Sequence, residues 1–203
     1  MRARAGGMAA AALLPGLLVR MKREKPKVSI KLRFGNLAQL MPLLEDQQID
    51  VCFGDPRIVA QSERLASNRV ARVFGGLFCR KGHPAARKRT IDAALLRQYG
   101  VGSFTITREL LAPIARSLGF SSASAFPMTM LCDDVNLLAQ VAVATDLLVI
   151  LPESAGGRGD LHAMPWRESR AQFGDMHAIW LAGRTLSPAA SHAIAISQEL
   201  GKG

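Results

Sequence analysis

The sequence predicts an α/β fold, in which helices alternate with parallel strands. Residues 13–21 place their apolar side chains at helical spacing, and residues 28–34 alternate apolar with polar side chains, as a strand does. A second helical stretch then leads to an apolar strand at 49–54. Two strands joined through a helix form a right-handed crossover and run parallel. The uninterrupted apolar run at 147–151 is also typical of a buried parallel strand.

Prolines, a glycine and an asparagine mark the ends of the first elements. Pro26 ends the first helix, because proline donates no backbone hydrogen bond and restricts the residue before it. After the strand at 28–34, Gly35 and Asn36 turn the chain, and Asn36 is placed to cap the next helix. Pro42 lies inside that helix and predicts a kink.

The rest of the chain continues the alternation. Thr107 precedes a helical stretch as a cap, and Ser187 and Pro188 are typical of the first positions of a last helix. By the same patterns we expect strands at about 70–79, 99–105, 126–131, 147–151 and 177–181, and helices that begin near residues 91, 107, 134 and 187.

The first residues are interpreted as part of the fold rather than as an export signal. Arg2 and Arg4 followed by the apolar residues 8–19 imitate a secretory signal, but Pro15 and Gly16 interrupt the run and no small-residue cleavage site follows. The run is also shorter than the about 20 residues that span a bilayer. The opening Arg-Ala-Arg-Ala-Gly-Gly is a poor strand, so we expect none there.

Composition favours a globular protein with a basic surface. Hydrophobic residues make up 49% of the chain, charged residues 21%, and the net charge is +10. Such a charge suits nucleic-acid binding. However, basic groups such as 20–23 and 87–89 are scattered and lack interleaved aromatic residues that could stack on bases. We therefore favour a solvated basic surface.

No motif predicts catalysis, a cofactor or a metal site. The chain lacks a nucleophile elbow, a phosphate-binding loop, a dinucleotide-binding glycine motif and a zinc-protease motif. His83 precedes a proline and has no second ligand at a metal spacing, so it is interpreted as a turn residue. Cys52, Cys79 and Cys132 are widely spaced, which predicts reduced thiols and a cytoplasmic protein, with Cys52 buried and inert.

An ordered set of short motifs resembles the effector-binding domain of LysR-type transcriptional regulators. The set has helix-length gaps between its members, which are Leu13-Leu14-Pro15, Lys25-Pro26-Lys27-Val28, Gly35-Asn36-Leu37 and Ile49-Asp50-Val51. Residues 77–84, 134–152 and 183–188 are similar to later parts of that domain.

The resemblance implies two Rossmann-like subdomains of periplasmic-binding-protein type joined by crossover strands. We expect residues 1–73 and 158–203 to form regulatory subdomain I, and residues 74–157 to form subdomain II. The boundaries rest on the bend that Gly75 and Gly76 allow and on the glycine-rich return at 156–159.

Function and partners are likewise implied by the resemblance. It implies a small-molecule effector, with a carboxylate as one candidate, bound in the cleft between the subdomains to control transcription. It also implies self-association through the first helix and residues 28–34. The family's helix-turn-helix is absent from the given sequence, so we expect no sequence-specific DNA binding, although the charge allows weak, salt-sensitive binding to any duplex. A free-standing solute-binding protein of the same fold is the alternative.

Loops at the carboxyl ends of predicted strands supply the candidate ligand contacts. Ligands of open α/β sheets bind beyond these ends, where helix amino termini offer free N–H groups. The candidates are Asn36, Asp55, Ser103, Phe104, Thr105, Asp133 and Asp134. We expect Asn36, Ser103 and Thr105 to hold a polar group and Phe104 to pack on the apolar part, while Asp55 would repel a purely anionic ligand. Helix capping is the alternative role of Asn36 and Asp134.

Overall fold

A computed structural model of the chain describes residues 1–35, 42–58, 63–157, 159–166 and 172–202. The chain divides into two compact units. Unit 1 is Met1–Val73 with Gly174–Gly203, and unit 2 is Phe74–Phe173. Helices and strands alternate in each, as the predicted α/β class requires.

The strands and helices of the described residues have the following bounds. The strands are β1 Arg2–Ala5, β2 Lys31–Phe34, β3 Val51–Gly54, β4 Leu65–Arg80, β5 Val101–Ser103, β6 Met128–Leu131, β7 Leu148–Pro152, β8 Leu161–Ala163 and β9 Gln172–Leu181. The helices are Gly7–Ala12, Leu14–Glu24, Ala93–Tyr99, Arg108–Ser117, Val135–Ala144, Glu153–Gly156 and Pro188–Leu200, with short 3-10 turns at Pro56–Ile58 and Ala123–Ala125. Residues 42–45 are also helical.

The sheet of unit 1 is organised around β1. The strand order is β2-β1-β3-β9, with β1 parallel to both β2 and β3, and β3 antiparallel to β9. The two strands predicted at 28–34 and 49–54 are therefore parallel, but they are not adjacent, because β1 lies between them. Their carboxyl ends lie at one edge of this sheet.

The expectation that no strand precedes the first helix is wrong. Residues Arg2–Ala5 form β1, which pairs with Lys31–Phe34 on one side and with Val51 to Phe53 on the other. Ala3 and Ala5 are buried at 2% and 0% exposure, and the arginines alternate with them onto the other face. Alanine has a low strand propensity, but hydrogen bonding on both sides and burial of one face override it.

Unit 2 has its own sheet, in which β7, β5 and β6 are parallel neighbours. The order is β4-β7-β5-β6, and β4 is antiparallel to β7. Strand β8 pairs antiparallel with the end of β4, from Phe78 to Arg80. The compact unit 2 extends to Phe173, and the subdomain boundary expected at 158 stays a prediction. Arg158 itself lies outside the described residues.

Several helix starts follow from side chains that were identified in the sequence. The Asp134 carboxylate accepts hydrogen bonds from the backbone N–H groups of Asn136 at 2.9 Å and Leu137 at 3.1 Å. Ser187 accepts from the N–H of Ala190 at 3.2 Å, and Pro188 follows it. These caps satisfy N–H groups that have no partner within the helix. The predicted cap at Asn36 and the packing of residues 37–41 fall outside the described residues.

His83 is a turn residue, as its position before proline suggests. Its imidazole is buried, and its Nδ1 accepts a hydrogen bond from the Ala85 N–H at 2.9 Å. With Nδ1 as the acceptor, Nε2 carries the proton and donates to the Asp146 carbonyl at 3.0 Å. The Tyr99 ring packs edge-on against it, with ring centroids 4.5 Å apart. Both ring nitrogens are thus used within the fold.

We predict that Gly156→Ala destabilises unit 2. A Cβ at this position would overlap the buried Phe78 ring, and overpacking of a core costs about 1–3 kcal/mol. The free energy of unfolding from urea titration measures this cost. In a Phe78→Leu background the same change should cost less, because the ring that it meets is gone. An equal cost in both backgrounds would contradict this explanation.

Candidate functional site

The carboxyl ends of β5 and β6 bring several of the candidate residues together in unit 2. Ser103, the last residue of β5, pairs in register with Leu131, the last residue of β6. In the loops that follow, the Asp133 carboxylate accepts a hydrogen bond from the Thr105 N–H at 3.0 Å. The loop after β5 is therefore tied to the loop after β6, at the edge where ligands of parallel sheets bind.

Ser103 has an unsatisfied hydroxyl at this edge. The residue is 0% exposed, and its Oγ finds no hydrogen-bond partner among the described residues. Buried hydroxyls in native structures are almost always hydrogen-bonded, and one left without a partner costs about 1–3 kcal/mol. The exception lies at the end of the middle strand of three parallel strands.

The other candidates of unit 2 have different surroundings. Phe104 is buried, with 5% exposure. Asp134 caps the helix Val135–Ala144, so its carboxylate is used by backbone N–H groups. Thr107 occupies the capping position of the helix Arg108–Ser117, but its side chain makes no capping hydrogen bond, so that predicted cap is present in position only.

Asp55 forms the centre of a separate arrangement in unit 1. It follows β3, and its side chain is only 1% exposed. The Arg57 guanidinium donates to both carboxylate oxygens, with Nη2–Oδ2 at 2.6 Å and Nε–Oδ1 at 3.0 Å. The Arg57 backbone N–H also donates to Oδ1, at 2.9 Å. These bonds raise the pKa of Arg57, which stays charged.

This pair changes the local charge that surrounds Asp55, whose role in ligand binding stays a prediction. The carboxylate was expected to repel an anionic ligand, but its charge is matched by a guanidinium with a side chain that is 51% exposed. Gly174 completes the packing, since a Cβ there would overlap both Arg57 and Asp55. The edge therefore presents a cation, and Arg57 is a residue that sequence reasoning missed. In the sequence, the two-residue spacing of Asp55 and Arg57 was the feature that could have indicated this ion pair.

More charged groups surround Asp175, which lies within β9. Its Oδ1 lies 3.4 Å from Arg72 Nε and 3.8 Å from Arg69 Nη1. His177 lies two residues further, with Nδ1 at 3.1 Å from the Ser67 hydroxyl. Burial lowers the pKa of His177, against the opposite influence of Asp175. Sequence reasoning missed this group because β4 and β9 are about a hundred residues apart in the chain.

The described part of the chain offers no candidate metal site, and two of its three thiols are buried. It contains no group of three or more His, Cys, Asp or Glu side chains that is able to hold a metal ion. Cys52 is fully buried, and burial raises the pKa of its thiol to about 12. Burial raises the pKa of Cys79 to about 11. Both thiols are protonated at neutral pH and are inert, as expected for Cys52.

Asn36 lies outside the described residues, so the structure does not place it. Gly6, at the neighbouring end of β1, precedes the helix Gly7–Ala12, and the space around its missing Cβ is open. Its N–H donates to the Phe53 carbonyl at 3.1 Å.

The model of the LysR substrate binding domain matches residues 4–202. The chain belongs to this family. A curated relative, the SDS degradation transcriptional activation protein of Pseudomonas sp. (strain ATCC 19151), is 28% identical over 200 residues, which are 94% of this chain and 63% of the relative. The chain thus spans less than two thirds of that protein.

Solved structures show the same fold. HinK, a LysR family transcriptional regulator from Pseudomonas aeruginosa, superposes with a TM-score of 0.76 at 15% identity, covering 100% of this chain and 70% of HinK. The effector-binding domain of QuiR in complex with shikimate superposes with a TM-score of 0.71 at 14% identity, covering 100% of this chain and 96% of that domain. At these identities the likeness establishes the fold alone.

Family membership confirms the resemblance found in the sequence and the α/β fold of periplasmic-binding-protein type. Because the family consists of regulator domains and not of enzymes, it also confirms that this LysR domain is not an enzyme. Within the described ranges, none of the helices has the length and apolar character needed to cross a membrane.

We predict that the two halves of the Asp55–Arg57 pair differ in their importance for stability. Arg57→Ala leaves a buried carboxylate without its guanidinium, which should cost about 3 kcal/mol or more. Asp55→Ala leaves a half-exposed guanidinium that water solvates, and should cost about 1–2 kcal/mol. Urea unfolding measures both. An Asp55→Ala variant that is the less stable of the two would contradict this order.

Proposed function

We propose that this LysR domain senses a small polar metabolite and thereby controls transcription by the regulator to which it belongs. One observation supports the position of the binding site. The Ser103 hydroxyl is fully buried and has no hydrogen-bond partner among the described residues. Its place at the carboxyl end of a parallel strand is where α/β sheets bind ligands.

The loop tie beside Ser103 supports the proposal. The Asp133–Thr105 hydrogen bond orders the backbone next to the hydroxyl before a ligand arrives. A preorganised loop loses less conformational entropy on binding, and so more of the contact energy appears as affinity. Phe104, which lies between Ser103 and Thr105 in the chain, is buried and supplies an apolar surface.

The ligand class follows from the groups available at this edge. A serine hydroxyl both donates and accepts, so it pairs equally well with a carboxylate, a hydroxyl or a carbonyl group. We therefore propose a carboxylate or hydroxy acid of low molecular weight. The shikimate in the QuiR complex is a ligand of that size class on the same fold.

The regulator is favoured over a free-standing solute-binding protein of the same fold. The family model is that of the LysR regulators, and the curated relative is a transcriptional activation protein. The effector would be read by this domain, while the recognition of promoter DNA belongs to a helix-turn-helix elsewhere in the regulator.

Ser103→Ala should separate stability from ligand binding. Removing an unsatisfied buried hydroxyl should stabilise the ligand-free protein by about 1 kcal/mol, because the desolvation cost disappears. The same change should abolish the rise in melting temperature that a bound effector causes. The measurement is a thermal-shift screen of small carboxylates and hydroxy acids, followed by calorimetry on any compound that binds.

Ser197 provides the matched control for this experiment. It is also 0% exposed, but its Oγ donates to the Ala193 carbonyl at 2.8 Å. Ser197→Ala should leave the response to the effector unchanged. If Ser103→Ala destabilises the protein and still binds the effector with unchanged affinity, the proposed position is wrong.

The polar loop residues should contribute to affinity as well. Thr105→Ala and Asn36→Ala should each weaken effector binding by about 1 kcal/mol or more, since each removes a hydrogen-bonding group. Calorimetry with an effector found in the screen measures the loss. Unchanged affinity in both variants, with circular dichroism showing an intact fold, would place the ligand elsewhere.

We also propose that the chain self-associates through the helix Leu14–Glu24 and the edge strand β2. Val19 on this helix is 49% exposed and Phe34 at the end of β2 is 62% exposed. Apolar side chains at an edge strand favour pairing with another chain. Light scattering at high micromolar concentration should show dimers, and monomers alone would contradict the proposal.

A further inference from the structure

Most of the net positive charge of the protein lies in its first 35 residues. Nine lysines and arginines lie there against one acid, Glu24, which gives +8 of the net +10. The remaining 168 residues hold 17 basic and 15 acidic side chains, a net +2. The basic residues are spread along the chain, but the net charge is not. The nine basic residues are Arg2, Arg4, Arg20, Lys22, Arg23, Lys25, Lys27, Lys31 and Arg33.

Strand pairing brings four of these cations onto one face of the unit 1 sheet. In the parallel register of β1 and β2, Arg2 lies opposite Lys31, and Arg4 lies opposite Arg33. Residues i and i+2 of a strand share a face, so the four side chains form a two-by-two array. We call this array the cationic strand pair. Leu32 and Phe34 alternate onto the opposite face.

Few acidic groups balance this array within the described residues. Arg2 forms an ion pair with Asp50, with Nη2–Oδ1 at 3.0 Å. Lys31 and Arg33 are exposed and make no ion pair in the described part of the chain. The Nε of Arg4 is buried and has no hydrogen-bond partner there. Among the described residues, three of these four cations therefore have no ion-pair partner.

Such an arrangement costs stability in the isolated domain. Like charges directly opposite each other on neighbouring strands repel, and an unpaired N–H of a guanidinium is costly to bury. A polyanion at this face would offset the repulsion between the exposed cations. The exposed Lys25 and Lys27 in the segment before β2 extend the positive surface. Lys22 holds that segment in place by donating to the Pro26 and Val28 carbonyls.

We propose that the cationic strand pair binds the phosphate backbone of duplex DNA without reading its sequence. Duplex DNA carries one negative charge per about 1.7 Å, which complements a dense array of cations. The array contains no aromatic side chain for stacking on unpaired bases, which argues against a single-stranded partner. The proposal goes beyond effector sensing. It gives the sensory domain a direct, non-specific contact with the DNA that its regulator controls.

The salt dependence of DNA binding tests the proposal. We would titrate the chain against a short fluorescein-labelled duplex of random sequence and follow anisotropy over a range of salt concentrations. Each phosphate contact contributes about 0.9 to the slope of log K against log salt. Lys31→Glu with Arg33→Glu should therefore lower the slope by about two and weaken binding at low salt by roughly tenfold or more.

A second charge-reversal pair gives the matched control. Arg87 and Lys88 are exposed basic residues of unit 2, and reversing both changes the net charge by the same amount. This control should leave the salt slope close to that of the unmodified chain. The milder Lys31→Gln with Arg33→Gln serves if the reversal disturbs folding, which circular dichroism and the melting temperature report.

Three outcomes would overturn the proposal. Equal effects of the two charge-reversal pairs would show that net charge alone drives binding. An unchanged slope in both the Glu and the Gln variants of Lys31 and Arg33 would exclude this face. Equally tight, equally variant-sensitive binding to poly-glutamate at matched charge concentration would assign the face to an acidic protein partner instead of phosphate.

Discussion

The parallel pairing of β1 with strands on both sides is the constraint on which unit 1 depends. Four residues at the start of the chain supply the middle strand between β2 and β3. Their two-residue period sends Ala3 and Ala5 into the core and two arginines to the other face. The same register thus builds the core and sets basic side chains opposite each other. A slip by one residue would exchange these faces and bury the charges.

In unit 2, strand pairing likewise decides which side chains meet at the carboxyl ends of the parallel strands. The pairing of β5 with β6 ends at Ser103 and Leu131, and the loops that follow meet through the Asp133–Thr105 hydrogen bond. Asp134, next in the chain, is used by the helix that it caps. The Asp133 carboxylate thus joins two loops, whereas the Asp134 carboxylate caps a helix. The Ser103 hydroxyl, at the same edge, has no hydrogen-bond partner among the described residues.

The sequence contained most of the fold because helix and strand periods are local properties. The caps at Asp134 and Ser187, the turn at His83 and the buried strand β7 all depend on neighbouring residues. Strand β1 was missed because its stability comes from pairing with distant residues, which its own propensities oppose. For the candidate site, single positions such as Ser103 followed from strand ends. The Arg57–Asp55 pair is local and could have been found from its two-residue spacing. The Asp175 group, in contrast, required knowledge that β4 and β9 are neighbours.

The unequal burial of the three thiols has a practical consequence for spectroscopy. At a pKa of about 11 or 12, the thiolate fraction of Cys79 and Cys52 near pH 7 is on the order of one in ten thousand or less. Maleimide dyes react with the thiolate, so labelling should fall on the partly exposed Cys132. That residue directly follows β6 and donates its N–H to the Ser103 carbonyl. The native chain thus offers an intrinsic attachment point for a fluorophore beside the proposed effector position, without any engineered cysteine.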